Sequence, residues 1–320
     1  MLSPVRSHVE SEKRATTLCG SLLVAAAALL FVPQVRAQAN SSAPSSNSSP
    51  PVNPAMRSED HFTWIEQFDG SSNTEGQVML LDSSVGYLLG RHLLVDAGVP
   101  VYFVRSNTTT VSGASTTNSF SDLGDVYGQV RLSFLNPALN FKTQLTGRAP
   151  TGSTSDGIST GHATYDWTNR IDRDFGHWTP FLEVGLANSI PDTFVYRRPF
   201  ASYGQLGHFQ AGAAYHVVNW LSVAASAFDV APWGSQTIDS RVGGNGSGAT
   251  GHGPPFLQGH QTTGGSSLAA DSGFSAGLGI SPTKAIDFTV GYSRSSHYDL
   301  NTVSFGIAVN MRAILRHPGL

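Results

Sequence analysis

Residues 125–134, DVYGQVRLSF, alternate one by one between polar and apolar side chains and decide the fold. Every second residue from Val126 to Phe134 is apolar or glycine, and the residues between are Tyr, Gln, Arg and Ser. A period of two predicts a β-strand with one apolar and one polar face. Strands of soluble proteins usually have about 5–6 residues, whereas a tilted strand that crosses a membrane needs about 9–11. The stretch therefore predicts a membrane-crossing strand.

The same alternation recurs along the chain, for example at 286–293 and 302–311. Charged residues make up only 13% of the sequence, against about 25% in soluble domains. We predict about twelve strands, at 62–68, 77–89, 93–105, 121–134, 139–149, 161–175, 178–189, 204–217, 220–231, 270–281, 284–294 and 300–312. The fold class is all-β, an antiparallel up-and-down transmembrane β-barrel of about 12 strands.

The connections between these strands alternate between short and long. Short ones lie near 90–92, 136–137, 176–177, 219 and 282–283; longer ones at 69–76, 106–120, 150–160, 190–203 and 232–269, with a shorter one at 295–299. Outer-membrane barrels have short periplasmic turns and longer external loops. Because hydrocarbon offers no partner for backbone polar groups, the sheet has to close on itself. We therefore expect the bacterial outer membrane as the location, with apolar side chains toward lipid.

Aromatic residues concentrate at the expected strand ends, as in the two interfacial belts of such barrels. Trp64, Trp178 and Trp220 would lie at the periplasmic side; Tyr102, Phe103, Phe200, Tyr203 and Trp233 would lie at the external side. Arg173 would point outward at a strand end, where its long side chain reaches the headgroups.

The N-terminus has the three parts of an export signal: a basic region, the apolar run 18–32, and small residues up to Ala39. Cys19, the only cysteine, lies inside this signal, so the exported chain would hold neither a disulfide nor a cysteine-bound metal. We divide the chain into a signal peptide at 1–39, a disordered Ser/Pro/Asn linker at 40–58, the barrel at 59–313 and a C-terminal tail at 314–320.

The polar strand faces define the candidate lumen. Charges of both signs are expected to line the pore: Asp82, Asp96, Asp125, Arg131, Lys142, Arg148, Asp166, Arg170, Asp172, Glu183 and Asp287, joined by His162, His208 and His216. A charged lining selects solutes by charge and hydrogen bonding. The same residues could instead form a salt-bridged plug that closes the barrel, and both interpretations stay open at this point.

No catalytic residue, metal site or cofactor is predicted. The G-x-S-x-G pattern at 273–277 lies inside an alternating strand, whereas a nucleophile elbow needs a strand, a sharp turn and a helix. His252 and His260 lie in a glycine-rich loop without a fixed scaffold for a metal ion. A net charge of −3 argues against a nucleic-acid partner. The expected partners are membrane lipids, a small-molecule solute and, during biogenesis, the outer-membrane insertion machinery.

Three motifs resemble the outer-membrane protein family of the MetA-pathway (meta-pathway) of phenol degradation. They are Gly124-Asp125 before the strand that ends at Phe134, Pro150-Thr151-Gly152 at the external end of the next strand, and the hairpin Gly176-His177-Trp178-Thr179-Pro180-Phe181. The resemblance spans roughly residues 77 to 312. It implies an outer-membrane barrel that passes aromatic or other hydrophobic compounds, and it assigns no catalytic residue.

The sequence thus predicts an outer-membrane channel or transporter for small molecules, aromatic or hydrophobic ones among them, and not an enzyme. Two alternatives stay open. One is a barrel-embedded lipid hydrolase, for which Ser275, Ser296 and His297 are the residues to test. The other is a structural or surface-interaction barrel that works through its external loop 232–269.

Overall fold

The computed structural model describes residues 62–109, 115–136, 138–193, 196–242, 256, 261–283 and 285–316. The predicted signal peptide, the linker, the last four residues of the tail, His252 and His260 lie outside the described residues. In the described ranges, no helix has the length and apolar composition to cross a membrane.

Sixteen strands are described, with a short α-helix after the last strand and one turn of 3-10 helix at Ser266–Leu268. The strands are β1 (Phe62–Ser72), β2 (Gly76–Leu89), β3 (Leu93–Thr109), β4 (Ser115–Leu123), β5 (Tyr127–Phe134), β6 (Asn140–Arg148), β7 (Thr164–Asp172), β8 (Trp178–Ala187), β9 (Phe200–Tyr203), β10 (Leu206–Val218), β11 (Leu221–Pro232), β12 (Gln236–Ser240), β13 (Gln261–Gly264), β14 (Asp271–Ile280), β15 (Ile286–Ser295) and β16 (Leu300–Asn310). Helix α1 spans Met311–Arg316.

The strands close into a ring. β4 and β5 pair with successive parts of β3 and so act as one bent strand of the wall. β1 pairs with β2 on one edge and with β16 on the other, and every pairing around the ring is antiparallel. β9, β12 and β13 form a separate small sheet. The wall therefore has twelve strand positions and closes on itself through the pairing of β2 with β3, which confirms the predicted antiparallel barrel.

Side chains alternate between the two faces of the wall as the sequence predicts. In β5, Gln129 is buried inside while its neighbour Val130 is 43% exposed on the outside. In β15 and β16, Val290 and Val303 are more than half exposed, whereas Ser293 and Thr302 are fully buried. This polarity is the reverse of that in a soluble protein, and it suits a barrel whose surrounding solvent is lipid.

Two polar side chains on the outer side are compensated locally. Glu66 faces outward on β1 and accepts hydrogen bonds from the Trp64 indole and from the Ser83 hydroxyl. These donors offset part of the cost of a carboxylate on that face. Arg173 follows the end of β7, and its guanidinium carbon lies 4.7 Å from the centroid of the Phe175 ring.

Four details of the sequence-based prediction are wrong. The connection 69–76 is not long, because β1 continues to Ser72 and Asn73 closes a tight turn by accepting from the amides of Glu75 and Gly76. Tyr102 faces inward, near the guanidinium of Arg241, and Phe200 is buried; neither belongs to an outer aromatic belt. The last strand ends at Asn310, where α1 follows.

We expect a positive charge to be costly on the outer face only where it meets hydrocarbon. Val290→Arg, at the middle of β15, should lower the free energy of unfolding by about 2–4 kcal/mol, and Val217→Arg, near the end of β10, by about 0–1 kcal/mol. Urea titration of the barrel in lipid vesicles measures both. Equal losses would contradict a lipid-facing position for Val290.

Candidate functional site at the external mouth

An ion-paired cluster occupies the lumen near the short turns, where β6, β7 and β8 lie side by side. Lys142 Nζ is 3.2 Å from Asp172 Oδ1, and Arg170 Nε is 3.5 Å from the same oxygen. Arg170 Nη1 is also 3.8 Å from Glu183 Oε2. The Lys142 side chain is 0% exposed. These four predicted lumen residues therefore neutralise one another inside the barrel.

The walls around this cluster differ in side-chain size. β14 and β15 turn small residues inward, among them Gly277, Gly279 and Gly291. β6 and β7 turn long charged side chains inward. Small residues on one wall leave space for the long side chains of the other, which is how a twelve-stranded lumen holds several buried charges.

The remaining predicted lumen residues are spread over the wall. His208 Nε2 is 3.0 Å from Asp166 Oδ1, and the Tyr127 hydroxyl donates to Asp82 at 2.9 Å. Gln129 donates to Asp96 and Arg131 donates to Gln144, each at 3.0 Å. Asp287 is buried on β15. His162 instead stacks on Tyr203, with ring centroids 4.5 Å apart. His216 lies near the C-terminal end of β10, whereas His208 lies near its N-terminal end. The structure thus brings together only part of the predicted set.

The connection between β8 and β10 crosses the barrel mouth. We call residues 188–205 the cross-barrel loop; it contains β9, and residues 188–193 and 196–205 are described. In the ring order, β1 lies opposite β8. Arg197 Nη2 donates to Asp69 Oδ2 on β1 at 2.6 Å, and the Ser71 hydroxyl donates to the Arg197 carbonyl at 3.0 Å. The loop therefore reaches from one wall to the opposite one.

Two further arginines hold the loop in place. Arg198 Nη2 is 3.1 Å from Asp271 Oδ2 on β14. Arg241 donates to the Arg198 carbonyl at 2.9 Å and lies 3.4 Å from Asp192 Oδ2. Burial opposes ionisation of Asp192, but the guanidinium groups of Arg241 and Arg197 outweigh it and hold the pKa of this carboxyl below its ordinary value. The pair of Arg241 and Asp192 is therefore ionic at neutral pH.

An apolar cluster fills the mouth around these ion pairs. The ring of Phe200 lies 5.1 Å from that of Phe256 and 5.2 Å from that of Tyr298, centroid to centroid. The cluster also contains strand residues from distant parts of the wall, including Val104 and Phe228. Residues from opposite walls and from the loops thus share one core, so the external end of the barrel is capped by folded loops.

A cavity of about 140 Å³ lies between the wall and the cross-barrel loop. The wall contributes Asp82, Arg148 and Asp166 to its lining, and the loop contributes Asp192 and Arg197. The space is polar and large enough for a small solute or several water molecules. Predicted lumen residues and loop anchors thus meet in this space.

The loop anchors were missed at the level of sequence. Asp69 lies three residues before the end of β1 and Asp271 begins β14, whereas Arg197, Arg198 and Arg241 stand outside the strands. The adjacent arginines 197 and 198, in a chain with so few charged residues, are the signal that could have drawn attention to this loop.

Ser275, Ser296 and His297 are not brought together as a hydrolase would require. Ser275 faces the lumen, and its hydroxyl is 2.8 Å from that of Ser226. Ser296 and His297 are exposed at the external rim, where the His297 ring packs edge-on against Tyr298. Among the described residues, no group of three His, Cys, Asp or Glu side chains is placed to hold a metal ion.

Two of the three family-like motifs contact each other at the external end of β5 and β6. Asp125 Oδ1 accepts from the Gly152 amide at 3.1 Å. The Thr151 hydroxyl donates to the Gly124 carbonyl and accepts from the Val126 amide, each at 2.9 Å. These contacts tie the bend between β4 and β5 to the loop that follows β6.

Comparison with known proteins agrees with this architecture at the level of fold. No family model and no curated protein matches the sequence. An outer-membrane channel from Pseudomonas putida F1 has a similar structure, with 13% identity, a TM-score of 0.55, and coverage of 79% of this chain and 96% of that one. The NanC porin (10% identity, TM-score 0.44, 77% and 99% coverage) and the Pseudomonas putida toluene transporter TodX (10%, 0.39, 82% and 90%) are more distant and support no conclusion.

The closed ring, the apolar outer face and the polar lumen define the class of the protein. It is a β-barrel of the bacterial outer membrane with twelve strands in its wall. Its external mouth is crossed by a loop that three arginines hold in place.

Loss of a buried anion should cost far more than loss of an exposed one. Asp172→Asn leaves Lys142 and Arg170 without their shared carboxylate and should lower the free energy of unfolding by about 3–5 kcal/mol. Asp299→Asn, in the exposed pair with Arg294, should cost at most about 1 kcal/mol. Urea unfolding in detergent micelles compares the two. Similar losses would show that the lumen cluster is solvated.

Proposed function

We propose that the protein is a channel for small hydrophilic molecules, with the cross-barrel loop controlling access at its external mouth. The observation that carries this proposal is the polar inner wall, which leads to a charged cavity directly beneath the loop. Polar and charged side chains can replace the water that a solute loses on entry. An aromatic or hydrophobic solute would have to pass the same wall. The polarity of this wall therefore favours hydrophilic solutes.

The predicted lumen residues receive two roles in this proposal. Asp82, Arg148 and Asp166 contact the solute first, because they line the cavity below the mouth. Lys142 and Asp172, with their two charged neighbours, form the selective narrow section farther along the barrel, because their side chains fill the lumen. A plug and a pore are then two conformations of one lining rather than two different functions.

Membership in the MetA-pathway family is part of the proposal, but the aromatic or hydrophobic solutes that the resemblance implies are not, because the inner wall is polar. The contacts of Asp125 with Gly152 and of Thr151 with Gly124 support it, because they hold the two motifs together at one end of the barrel wall. Export through the signal at 1–39 and assembly by the outer-membrane insertion machinery belong to the same proposal. No catalytic residue is proposed.

Release of the cross-barrel loop should increase conductance. Arg197→Gln removes the ion pair with Asp69 on the opposite wall, so we expect a mean single-channel conductance several-fold above that of the unchanged protein in planar bilayers. Arg294→Gln, which breaks only an exposed pair at the rim, serves as the matched control and should conduct as the unchanged protein does.

The alternative outcomes separate two parts of the proposal. The channel would be refuted if neither the unchanged protein nor the folded Arg197→Gln variant showed any conductance. Equal conductance in both would refute control by the loop. Heat-modifiable electrophoretic mobility establishes that each variant has formed the barrel.

A further inference from the structure

We propose that the cavity beneath the cross-barrel loop is a binding site for a small zwitterion of the α-amino acid type. Its carboxylate would bind Arg148 and its ammonium group would bind Asp82. This inference rests on the proposed function in naming the class of solute that the channel admits, but the site itself does not depend on transport.

Most charges that line the cavity already have partners. Arg197 binds Asp69, Arg241 binds Asp192, and Asp166 binds His208. Asp125 accepts from a backbone amide. The two ion pairs offset the charges of Arg197 and Arg241, and the hydrogen bonds to Asp166 and Asp125 use part of the acceptor capacity of these two carboxylates.

Arg148 is different from the other arginines of the site. It is the last residue of β6, and it lines the cavity together with Asp82 and Asp166, with both of which it interacts electrostatically. Within the part of the chain that the structure describes, it forms no ion pair with either carboxylate. Its planar group of donors suits two-point binding of a carboxylate.

Asp82 supplies the complementary anion. Its Oδ2 atom accepts from the Tyr127 hydroxyl at 2.9 Å, whereas Oδ1 is buried and has no hydrogen-bond partner among the described residues. A buried carboxylate oxygen without a donor is costly. An ammonium group in the cavity would supply that donor.

The cross-barrel loop contributes a second donor for the carboxylate. Arg197 uses Nη2 to bind Asp69, and its buried Nε has no partner among the described residues. Arg197 borders the same cavity as Arg148. A carboxylate between these two groups would therefore link the wall to the loop.

The balance of charge favours a zwitterion over a simple ion. A lone anion would satisfy Arg148 but leave Asp82 Oδ1 without a donor, and a lone cation would leave Arg148 without a carboxylate. A molecule that carries an ammonium group and a carboxylate on one carbon satisfies both at once. A cavity of about 140 Å³ accommodates the smaller amino acids.

The experiment measures binding of L-alanine to the full chain, folded in detergent micelles, by isothermal titration calorimetry. Acetate and methylammonium serve as probes that carry one charge each. We expect saturable binding of alanine and at least tenfold weaker binding of both single-charge probes. Arg148→Gln and Asp82→Asn should each weaken alanine binding at least tenfold.

Two further variants make the test specific. Arg148→Lys keeps the positive charge but loses the planar guanidinium with its two parallel donors. This variant should bind alanine more tightly than Arg148→Gln and more weakly than the unchanged protein. Arg294→Gln removes an arginine of the external rim and should bind alanine normally. Electrophoretic mobility with and without heating verifies folding of every variant.

Three results would overturn the site: no alanine binding to the folded protein, binding that neither Arg148→Gln nor Asp82→Asn weakens, or acetate binding as tight as that of alanine. The binding assay is independent of transport. A protein that binds alanine but never conducts refutes the channel and leaves the site intact. A protein that conducts but does not bind alanine refutes the site alone.

Discussion

A strand in hydrocarbon has to hydrogen-bond both of its edges to neighbouring strands, because the bilayer core offers no water to its backbone. This constraint explains the ring in which β1 returns to β16. It also explains the even number of wall strands, since an up-and-down chain that closes this way begins and ends at one side. The alternation of apolar and polar residues then follows, because each strand has lipid on one face and the lumen on the other.

The polar lumen contains buried charged side chains, and the barrel accommodates them by pairing opposite charges with each other. Lys142 and Asp172 are buried as deeply as core residues of a soluble protein, and they are tolerated because they lie beside each other. At the mouth the polarity reverses again, and Phe200 and Tyr298 pack in an apolar core tied down by ion pairs. The cross-barrel loop keeps its place through Arg197, which binds the far wall.

The strands could be predicted from sequence because their signal is local. Each of the twelve predicted stretches overlaps a strand of the wall, and the pattern of 125–134 fixes both the element and its faces. The mouth could not be predicted, since Asp69 and Arg197 stand 128 positions apart and neither belongs to a repeating pattern. Tyr102 was misplaced for a related reason: an aromatic residue near a strand end serves either a lipid interface or a loop core, and only the tertiary contacts decide between them.

The central claim is that one face of each strand meets lipid and the other meets an enclosed lumen. Spin labels placed one at a time along β15, from Ile286 to Ser295, report it directly through their collisions with oxygen in lipid vesicles. The account predicts a period of two, with high oxygen accessibility at Phe288, Val290 and Tyr292 and low accessibility at the positions between them. A flat profile along the strand, or a profile with its maxima at Asp287 and Thr289, would contradict it.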